Sequence, residues 1–268
     1  MTDIKTIEKS IIKKYRKTIW SKFIKAIKDY ELIKDNDKIA ICISGGKDSM
    51  MLAKCFQELK RHNQINFSLE FITMNPGYNE NNLKLIKDNA KILNIPLKIF
   101  ETDIFSVINK HGGKSPCYLC ARMRRGYLYD YAKKLGCNKI ALAHHFDDII
   151  ETIMMNILYN GKYATMMPKL KSDNFIDMEL IRPFYYIKEK DIILWSTYNN
   201  LEFIACGCPL SERKNTGKRK EVKEIIKALK ATNENADINI LKSSENINLN
   251  MAIKYYKNNI ETSFLDEY

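Results

Sequence analysis

An anion-binding loop is predicted near the start of the chain, at Ser44-Gly45-Gly46-Lys47-Asp48-Ser49. The apolar run 39–43 before it is typical of a buried strand, and the residues after it begin a helical pattern. A strand, a glycine turn and a helix N-terminus aim several backbone N–H groups at one concavity, which suits a phosphate or pyrophosphate. Lys47 adds a positive charge, and the hydroxyls of Ser44 and Ser49 can donate hydrogen bonds. The GxxxxGK[ST] spacing of a Walker loop is absent, and the alternative interpretation is an ordinary strand-to-helix turn with an exposed lysine.

Four cysteines in two close pairs form the second candidate site. Cys117 and Cys120 have CxxC spacing at the start of a predicted helix, and Cys206 and Cys208 form a CxC pair further along. Basic residues around the first pair favour thiolate, the form that binds a metal or attacks a disulfide. A structural zinc, an iron-sulfur cluster and a redox disulfide relay all remain open on spacing alone. The other cysteines lie in apolar or helical patterns and are predicted core thiols: Cys42, Cys55 and Cys137.

A third segment combines two histidines and two carboxylates after a predicted strand at 139–143: His144, His145, Asp147 and Asp148. A carboxylate in such a place can hold Mg²⁺ or take a proton. Asp147 is equally consistent with a helix cap. One histidine is expected to contact phosphate or substrate and the other to be structural.

The elements that must position these segments alternate between strands and helices. Strands are predicted at 39–43, 67–73, 96–100 and 139–143, so the fold class is α/β with a doubly wound parallel sheet. Ligands of such sheets bind beyond the carboxyl ends of the strands. The segment 74–78 lies there as a Pro-Gly turn or as a backbone edge beside adenine. Three further nucleotide contacts are therefore predicted at this edge: Met74, Ala143 and His144.

Three regions are predicted along the chain. Residues 1–36 form a basic amphipathic helical segment, 37–210 the α/β domain, and 211–268 a basic helical extension. The apolar stripe of the first segment is expected to pack on the domain, with its basic face near nucleic acid; a membrane surface is the alternative. Smaller predictions are an edge strand at 181–184, a strand leading into Cys206, and a last helix near 251–256.

The formal net charge of +12 and the pI near 9.2 favour a polyanionic partner, most commonly nucleic acid. A solvated basic face is the alternative. No run of 18 apolar residues predicts a membrane span, and the N-terminus lacks a secretory pattern, so a cytoplasmic protein with reduced thiols is expected. The candidate nucleic-acid contacts are Lys162, Lys169, Arg182, Lys218 and Arg219.

The loop at 44–49 resembles the signature of the PP-loop (pyrophosphate-loop) ATPases, enzymes known to split ATP between the α and β phosphates and adenylate a substrate oxygen. Over residues 15–230 the chain resembles the tRNA 2-thiocytidine synthetase family of iron-sulfur-dependent tRNA sulfurtransferases. The motifs that carry this resemblance are the loop, Cys117-Tyr118-Leu119-Cys120 with Arg124-Arg125-Gly126, residues 143–148, Asn160-Gly161-Lys162, Met167-Pro168-Lys169-Leu170, Ile181-Arg182-Pro183 and a distal cysteine.

The resemblance implies an adenine nucleotide alpha hydrolase-like fold that binds ATP and Mg²⁺ at the loop. It also implies a [4Fe-4S] cluster held by Cys117, Cys120 and Cys206, with the fourth iron open to sulfide. Asp148 and Arg124 are the implied catalytic residues. The implied reaction adenylates the C2 carbonyl oxygen of a tRNA cytidine, after which sulfur from the cluster replaces AMP. A cysteine desulfurase or free sulfide would donate the sulfur, and a homodimer is expected.

The distal cysteines depart from the family pattern, which usually has CxxC where this chain has Cys206-Gly207-Cys208. Either thiol can be the third ligand, or both can bind and close the cluster. Two other functions therefore stay open. One is a PP-loop ligase or small-molecule sulfur-transfer enzyme with a zinc ion held by the four cysteines, and the other is a non-catalytic nucleotide- and RNA-binding redox sensor.

Overall fold

The computed structural model describes residues 3–62, 65–111, 116–204 and 217–266, without the side chains of 109, 111 and 117. The elements up to the fourth strand are α1 (Ile4–Ile12), a π-helix (Arg16–Trp20), α2 (Ser21–Asp29), β1 (Asp37–Cys42), α3 (Lys47–Arg61), β2 (Phe67–Asn75), α4 (Glu80–Ile92), β3 (Leu97–Glu101), α5 (Ile104–His111), α6 (Pro116–Lys134) and β4 (Lys139–Ala141). The rest are α7 (Phe146–Asn160), β5 (Lys169–Lys171), β6 (Glu179–Ile181), α8 (Glu189–Tyr198), α9 (Lys218–Thr232), α10 (Ala236–Ser243), β7 (Lys254–Lys257) and β8 (Ile260–Ser263), with 3-10 turns at Leu249–Met251 and Phe264–Asp266.

The predicted α/β fold with a mostly parallel sheet is confirmed. The strand order is β3-β2-β1-β4-β6-β5, and within it only β5 pairs antiparallel to its neighbour. Alternate residues of β1 face two different cores: Ile39 and Ile41 pack with α3 and α4, whereas Ala40 and Cys42 pack with α6 residues such as Ala132. Because β1, β2 and β4 run parallel to one another, their carboxyl ends meet at one edge of the sheet.

The N-terminal segment forms two helices in tandem with a π-helix between them. Its apolar stripe is buried, as predicted, at Ile7, Ile11, Ile19, Phe23 and Ile27. The fully buried Nζ of Lys54 donates to Glu8 Oε1 at 2.7 Å and to the Leu93 carbonyl at 2.8 Å. These bonds satisfy the buried charge and fix α1 against α3.

Three local predictions are wrong. The edge strand predicted at 181–184 is not found, because Ile181 ends β6, an interior strand. The edge on that side of the sheet is β5, which the sequence placed in a loop. Strands of three residues are too short to show a period of two. Residues 201–204 form no strand; Asn89 Nδ2 donates to the Glu202 carbonyl at 2.8 Å instead.

The helix predicted near 251–256 is also wrong, because that region belongs to the β7–β8 hairpin. Asn258 and Asn259 have φ values of 52° and 63°, as a tight hairpin turn requires at both central positions. Asparagine tolerates this region better than most residues, so the Asn-Asn pair was the available signal.

Burial confirms the three core thiols. Cys42, Cys55 and Cys137 are buried, and burial raises the pKa of each, to about 11 for Cys137. A neutral buried thiol is a poor nucleophile and a poor metal ligand.

The chain divides into two compact units, residues 1–149 with 167–217 and residues 150–166 with 218–268. In the second unit the buried Glu151 carboxylate lies 3.6 Å from Arg219 Nε and 3.5 Å from Lys223 Nζ. Lys230 Nζ similarly pairs with Asp237 at 2.6 Å. The boundaries predicted from sequence at 36/37 and 210/211 stay predictions. None of the helices among the described residues combines the length and the apolar content that crossing a bilayer requires.

Candidate active site

The glycine loop connects β1 to α3 and is tightly packed from outside. Gly45 has φ +88°, and a Cβ there would lie 2.5 Å from Ile204 Cδ1 and 2.6 Å from Ile86 Cγ1. Both the left-handed backbone and the close approach of Ile204 therefore require glycine. The contact also shows that the described residue Ile204 lies directly against the loop.

Hydrogen bonds of the Ser49 hydroxyl connect the two ends of the loop. Ser49 Oγ accepts a hydrogen bond from the Ser44 N–H at 3.1 Å, donates to the Gly46 carbonyl at 2.9 Å and lies 3.2 Å from Ser44 Oγ. Ser49 is buried, whereas Ser44 is exposed. The buried hydroxyl holds the loop in shape, and the exposed one is left at the surface of the cavity.

Lys47, the first residue of α3, is held by two carboxylates. Its Nζ lies 2.9 Å from Glu189 Oε1 and 3.2 Å from Asp48 Oδ2. Burial lowers the pKa of Lys47, but Asp48 and Glu189 outweigh it and the net shift is upward. Lys47 is therefore charged at neutral pH. Sequence analysis missed Glu189, because a glutamate in the first turn of a helix ordinarily only complements the helix dipole.

Asp48 carries an unsatisfied oxygen. Its Oδ1 is buried and has no hydrogen-bond partner among the described residues. Burial raises the pKa of this carboxyl, against the opposing effect of Lys47 and His145. A buried carboxylate oxygen without a donor is suited to a hard cation such as Mg²⁺.

His145 and Asp148 form a reciprocal cap at the start of α7. Asp148 Oδ2 accepts from the His145 N–H at 3.0 Å, and the Asp148 N–H points to His145 Nδ1 at 3.4 Å. This is the capping-box arrangement, which fixes the Asp148 side chain. Asp147, interpreted from sequence as a possible cap, instead accepts the Glu189 N–H at 2.7 Å and joins the starts of α7 and α8.

A cavity of about 380 Å³ opens at the carboxyl edge of the sheet. Tyr78, Leu128 and Leu142 contribute to its apolar wall. Eight residues predicted from the sequence line it: Ser44, Asp48, Ser49, Met74, Arg124, Ala143, His144 and Asp148. The fold thus brings the loop, the β2 end, the β4 end and α6 together, while the chemical role of each residue stays a prediction.

Arg124 enters the cavity from α6. Its guanidinium lies 5.6 Å from the Phe105 ring centroid, and its Nε is buried without a hydrogen-bond partner among the described residues. Cys120 is one turn before Arg124 on the same helical face and packs against the cluster that contains Met74 and Phe105. Cys120 therefore adjoins the cavity wall.

The remaining candidate cysteines lie outside the described side chains or residues. Cys117 occupies α6 three residues before Cys120, at a spacing that shares a helical face, and Cys206 and Cys208 fall outside the described ranges. Among the described side chains, no group of three or more possible metal ligands is found.

Comparison with known proteins identifies the family. The PP-loop domain family matches residues 15–208. The chain belongs to the PP-loop family. A relative from Syntrophotalea carbinolica, a tRNA-cytidine(32) 2-sulfurtransferase, is 37% identical over 207 residues, which cover 76% of this chain and 79% of that protein. The protein of the same name from Coxiella burnetii is 36% identical over 228 residues, covering 83% and 87%.

The chain is therefore a member of the tRNA-cytidine(32) 2-sulfurtransferase family, whose members are transferases, and the resemblance inferred from the motifs is confirmed. Among solved structures, the U34-tRNA thiolase NcsA from Methanococcus maripaludis with its [4Fe-4S] cluster has a TM-score of 0.66 and 24% identity. The match covers 84% of this chain and 76% of that one, and it shows a shared fold.

Two of the basic residues predicted to contact nucleic acid have partners within the compact unit of residues 1–149 and 167–217, which contains the loop and is called the PP-loop unit. Lys169 Nζ donates to the Glu31 carbonyl at 3.0 Å and lies 3.6 Å from Glu179 Oε2. Arg182 donates to the Met167 carbonyl, and burial lowers the pKa of its guanidinium. Both side chains support the β5–β6 region, and their contact with nucleic acid stays a prediction.

The other three belong to the second unit. Lys162 is exposed, Lys218 Nζ lies 4.6 Å from the Tyr159 ring centroid, and Arg219 pairs with Glu151. Lys162 and Lys218 leave their charge at the surface, where a phosphate can reach it. Their contact with nucleic acid also stays a prediction.

Proposed function

We propose that this protein is an ATP-dependent tRNA sulfurtransferase that adenylates the C2 carbonyl oxygen of a tRNA cytidine and replaces that oxygen with sulfur. One observation carries the proposal: a single cavity is lined both by the PP loop and by the α6 face that bears Arg124 next to Cys120. The names of the relatives supply the substrate class, a cytidine in tRNA.

The loop would bind the phosphates of ATP. The N–H groups at the start of α3 and the serine hydroxyl of Ser44 supply donors, and Lys47 supplies a positive charge. Since Lys47 is bonded to Glu189 and Asp48, a phosphate that contacts it must compete with two nearby carboxylates for its positive charge. A multiply charged phosphate can do so, whereas a weakly charged anion cannot compete with two carboxylates.

Adenylation is needed because a carbonyl oxygen leaves poorly. In the proposed first step the C2 oxygen attacks the α-phosphorus of ATP, the bond to the β-phosphate oxygen breaks, and pyrophosphate leaves. Cytidine has no proton to lose at this oxygen, so the adenylated base carries a positive charge, which the fixed Asp148 carboxylate would stabilise. Arg124 would stabilise the negative charge on the α-phosphate. In the second step sulfur forms its bond to C2, and AMP leaves with the original oxygen.

The donor sets fit the two groups that the proposal requires. The buried, unpaired Oδ1 of Asp48 fits Mg²⁺, which would neutralise phosphate charge when bound. Cysteine thiolates are the usual ligands of iron-sulfur clusters, and a [4Fe-4S] cluster with three protein ligands supplies one iron that is open to sulfide. Cys117, Cys120 and either Cys206 or Cys208 would hold it.

Of the two distal cysteines, Cys206 is the proposed ligand, because Ile204, the last described residue before it, packs on Gly45 of the loop. A cysteine desulfurase or free sulfide is the proposed sulfur donor, and a homodimer is the proposed assembly.

Purified under anaerobic conditions, the protein is expected to contain iron and acid-labile sulfide. Incubation with tRNA, Mg-ATP and sulfide should release pyrophosphate and yield 2-thiocytidine, measured by mass spectrometry of the digested tRNA. A colourless protein with bound zinc and no iron would favour a zinc-containing PP-loop enzyme instead. Failure to release pyrophosphate with any tRNA, by protein that carries its cluster, would overturn the proposal.

A further inference from the structure

A second cavity, of about 260 Å³, lies at the other end of α3. It is bounded by the π-helix, by α2 and by the last turn of α3, all within the PP-loop unit. The residues that line it are Arg16, Trp20, Ile24, Lys28, Leu59 and His62. None of them belongs to the site described above.

The floor of this cavity is aromatic and apolar. The Trp20 ring lies 5.5 Å from the His62 ring and 5.7 Å from the Phe23 ring, and Leu59 is buried beside it. The π-helix is completed by the bond from the Trp20 N–H to the Tyr15 carbonyl at 3.3 Å. Such π turns are rare and frequently occur at functional sites. An apolar floor of this kind suits a planar heterocycle.

The rim is cationic. Arg16 and Lys28 are exposed, and neither forms an ion pair with a carboxylate among the described residues. His62 Nε2 faces Glu58 Oε1 at 3.4 Å, so His62 contributes its ring and not a free charge. Two exposed cations beside an aromatic floor are complementary to a phosphate attached to a base.

The surrounding helices strengthen the attraction for anions. Residues 4–29 contain nine Lys or Arg side chains and two carboxylates, a net charge of +7 out of +12 for the whole chain. Most apolar side chains of this segment, including Ile7 and Ile27, are buried in the core. A helix that binds a membrane surface must expose an apolar face that enters the bilayer, so this segment is suited to a polyanion and not to a bilayer.

We propose that this cavity binds one nucleotide of the RNA substrate, with its base on the Trp20 floor and its phosphate between Arg16 and Lys28. The proposal rests on the proposed function, because tRNA is taken as the substrate. Its occupant is part of an RNA strand and not a free nucleotide, since the charge extends along the whole basic segment beyond a single phosphate.

The cavity anchors RNA and takes no part in the chemistry. Helix α3 has 15 residues from Lys47 to Arg61, and at 1.5 Å per residue the two cavities are separated by about 22 Å along its axis. A nucleotide held near Leu59 therefore cannot be the one that reacts beside the loop. Loss of this contact is expected to raise KM for tRNA and leave kcat close to its original value.

The test compares two double variants that remove the same charge. Arg16→Gln with Lys28→Gln changes the rim, whereas Lys13→Gln with Lys17→Gln removes two exposed cations of the same segment that do not line the cavity. Equilibrium binding of tRNA is measured without ATP, so that it needs neither turnover nor the cluster. We expect the rim variant to weaken binding about tenfold and the control about twofold or less. Equal weakening by both variants would overturn the proposal.

Tryptophan fluorescence gives a second readout. The chain has two tryptophans: Trp195 is fully buried, whereas Trp20, which is 7% exposed, lines the cavity and is the one that a ligand there can contact. A short oligoribonucleotide is expected to change the fluorescence, and the rim variant to lose that change. If cytidine 5′-monophosphate binds as tightly as the oligoribonucleotide, the site takes a free nucleotide. If an oligoglutamate peptide binds as tightly as the oligoribonucleotide, the site takes acidic protein. Either result would overturn the RNA assignment. A protein that binds RNA here but thiolates no tRNA would contradict the proposed function and leave this site standing.

Discussion

Positive side chains lie at both ends of α3, but in different surroundings. At its start, Lys47 is half-buried and bonded to Asp48 and Glu189. At its other end, Arg16 and Lys28 are exposed and without an ion pair among the described residues. A cation with two carboxylate partners attracts a further anion only weakly, so it favours multiply charged phosphates. An unpaired cation attracts any polyanion and is screened by salt.

In the two proposals, the paired end of α3 serves the chemistry and the unpaired end serves the recognition of RNA. At the PP-loop end, burial and ion pairs fix the position of Lys47. At the far end, Arg16 and Lys28 are exposed, and no ion pair fixes their positions among the described residues. We expect substitutions at the first end to change ATP binding and stability strongly, and those at the second to change RNA affinity modestly.

Gly45→Ala is expected to be the most damaging single change. The left-handed backbone and the clash with Ile204 and Ile86 should lower the free energy of unfolding by about 2–4 kcal/mol and abolish measurable ATP binding. Denaturant unfolding and calorimetric titration with ATP measure the two effects. The matched control is Gly126→Ala in α6, where a Cβ meets nothing within 4 Å, so stability should rise by about 0.5–1 kcal/mol. Similar results for both variants would contradict the assigned loop geometry.

Lys47→Ala should raise the Kd for ATP about 100-fold, because the loop loses its cation and leaves Asp48 and Glu189 to repel phosphate. Iron and sulfide content should not change. Arg16→Ala at the far end should alter the Kd for ATP by less than about twofold, since it lies far from the loop and is screened.

A substitution at the cysteine site should have the opposite pattern of effects from Lys47→Ala. Cys117→Ala is expected to lose the cluster, measured by iron and acid-labile sulfide, and to keep ATP binding. Loss of ATP binding in Cys117→Ala with the cluster retained, or the reverse in Lys47→Ala, would show that the two sites have been assigned wrongly.

Glu189→Gln should tighten ATP binding by roughly threefold to tenfold. The change removes a negative charge that competes with phosphate for Lys47, and the amide keeps the size and a hydrogen bond to Nζ. Calorimetric titration measures the shift. The control is Glu80→Gln, which also neutralises the first residue of a helix but lies exposed on α4. Weaker binding by Glu189→Gln would mean that Glu189 positions Lys47 for the ligand and does not compete with it.

The smallest expected effect is on the pH dependence of stability at Asp48. Burial raises its folded-state pKa above the value in the unfolded chain, so the ionised form lowers the free energy of unfolding above that pKa. This loss of stability disappears as the pH falls below the pKa that Asp48 has in the unfolded chain. Asp48→Asn should therefore be relatively more stable than the original protein at pH 7, and the difference should shrink on acidification.

Thermal or denaturant unfolding at several pH values measures this difference. The control is Asp88→Asn on the exposed face of α4, which should show a smaller dependence on pH. A difference for Asp48→Asn that grows as the pH falls would reverse the sign and contradict the inferred effect of burial.

Several of the predicted residues that line the cavity lie within short, contiguous segments. The loop at 44–49 and the carboxylate pair after β4 are read directly from neighbouring residues, because a strand, a turn and a helix start are local structures. The fold class follows from the alternation of strands and helices. The short strands β5 and β6 were misplaced because three residues carry too little pattern.

Side-chain roles were less predictable than side-chain positions. Asp148 was predicted at the edge of the sheet, and the sequence suggested Asp147 as the helix cap. In the structure it is Asp148 that accepts the His145 N–H, whereas Asp147 accepts the Glu189 N–H. Asn258-Asn259 was an available hairpin signal, and it outweighed the helical pattern before it because both residues accept positive φ.

The glycine loop, the α/β class and the excess of positive charge could be read from the sequence, since each depends on neighbouring residues or on composition. Tertiary structure alone decided that Glu189 bonds to Lys47 across 142 positions and that Ile204 closes over Gly45. It also decided which of the described cations at the two ends of α3 are paired with carboxylates. Contacts between distant residues depend on how elements pack, and the free energy of that packing is a property of the whole fold that no local pattern encodes.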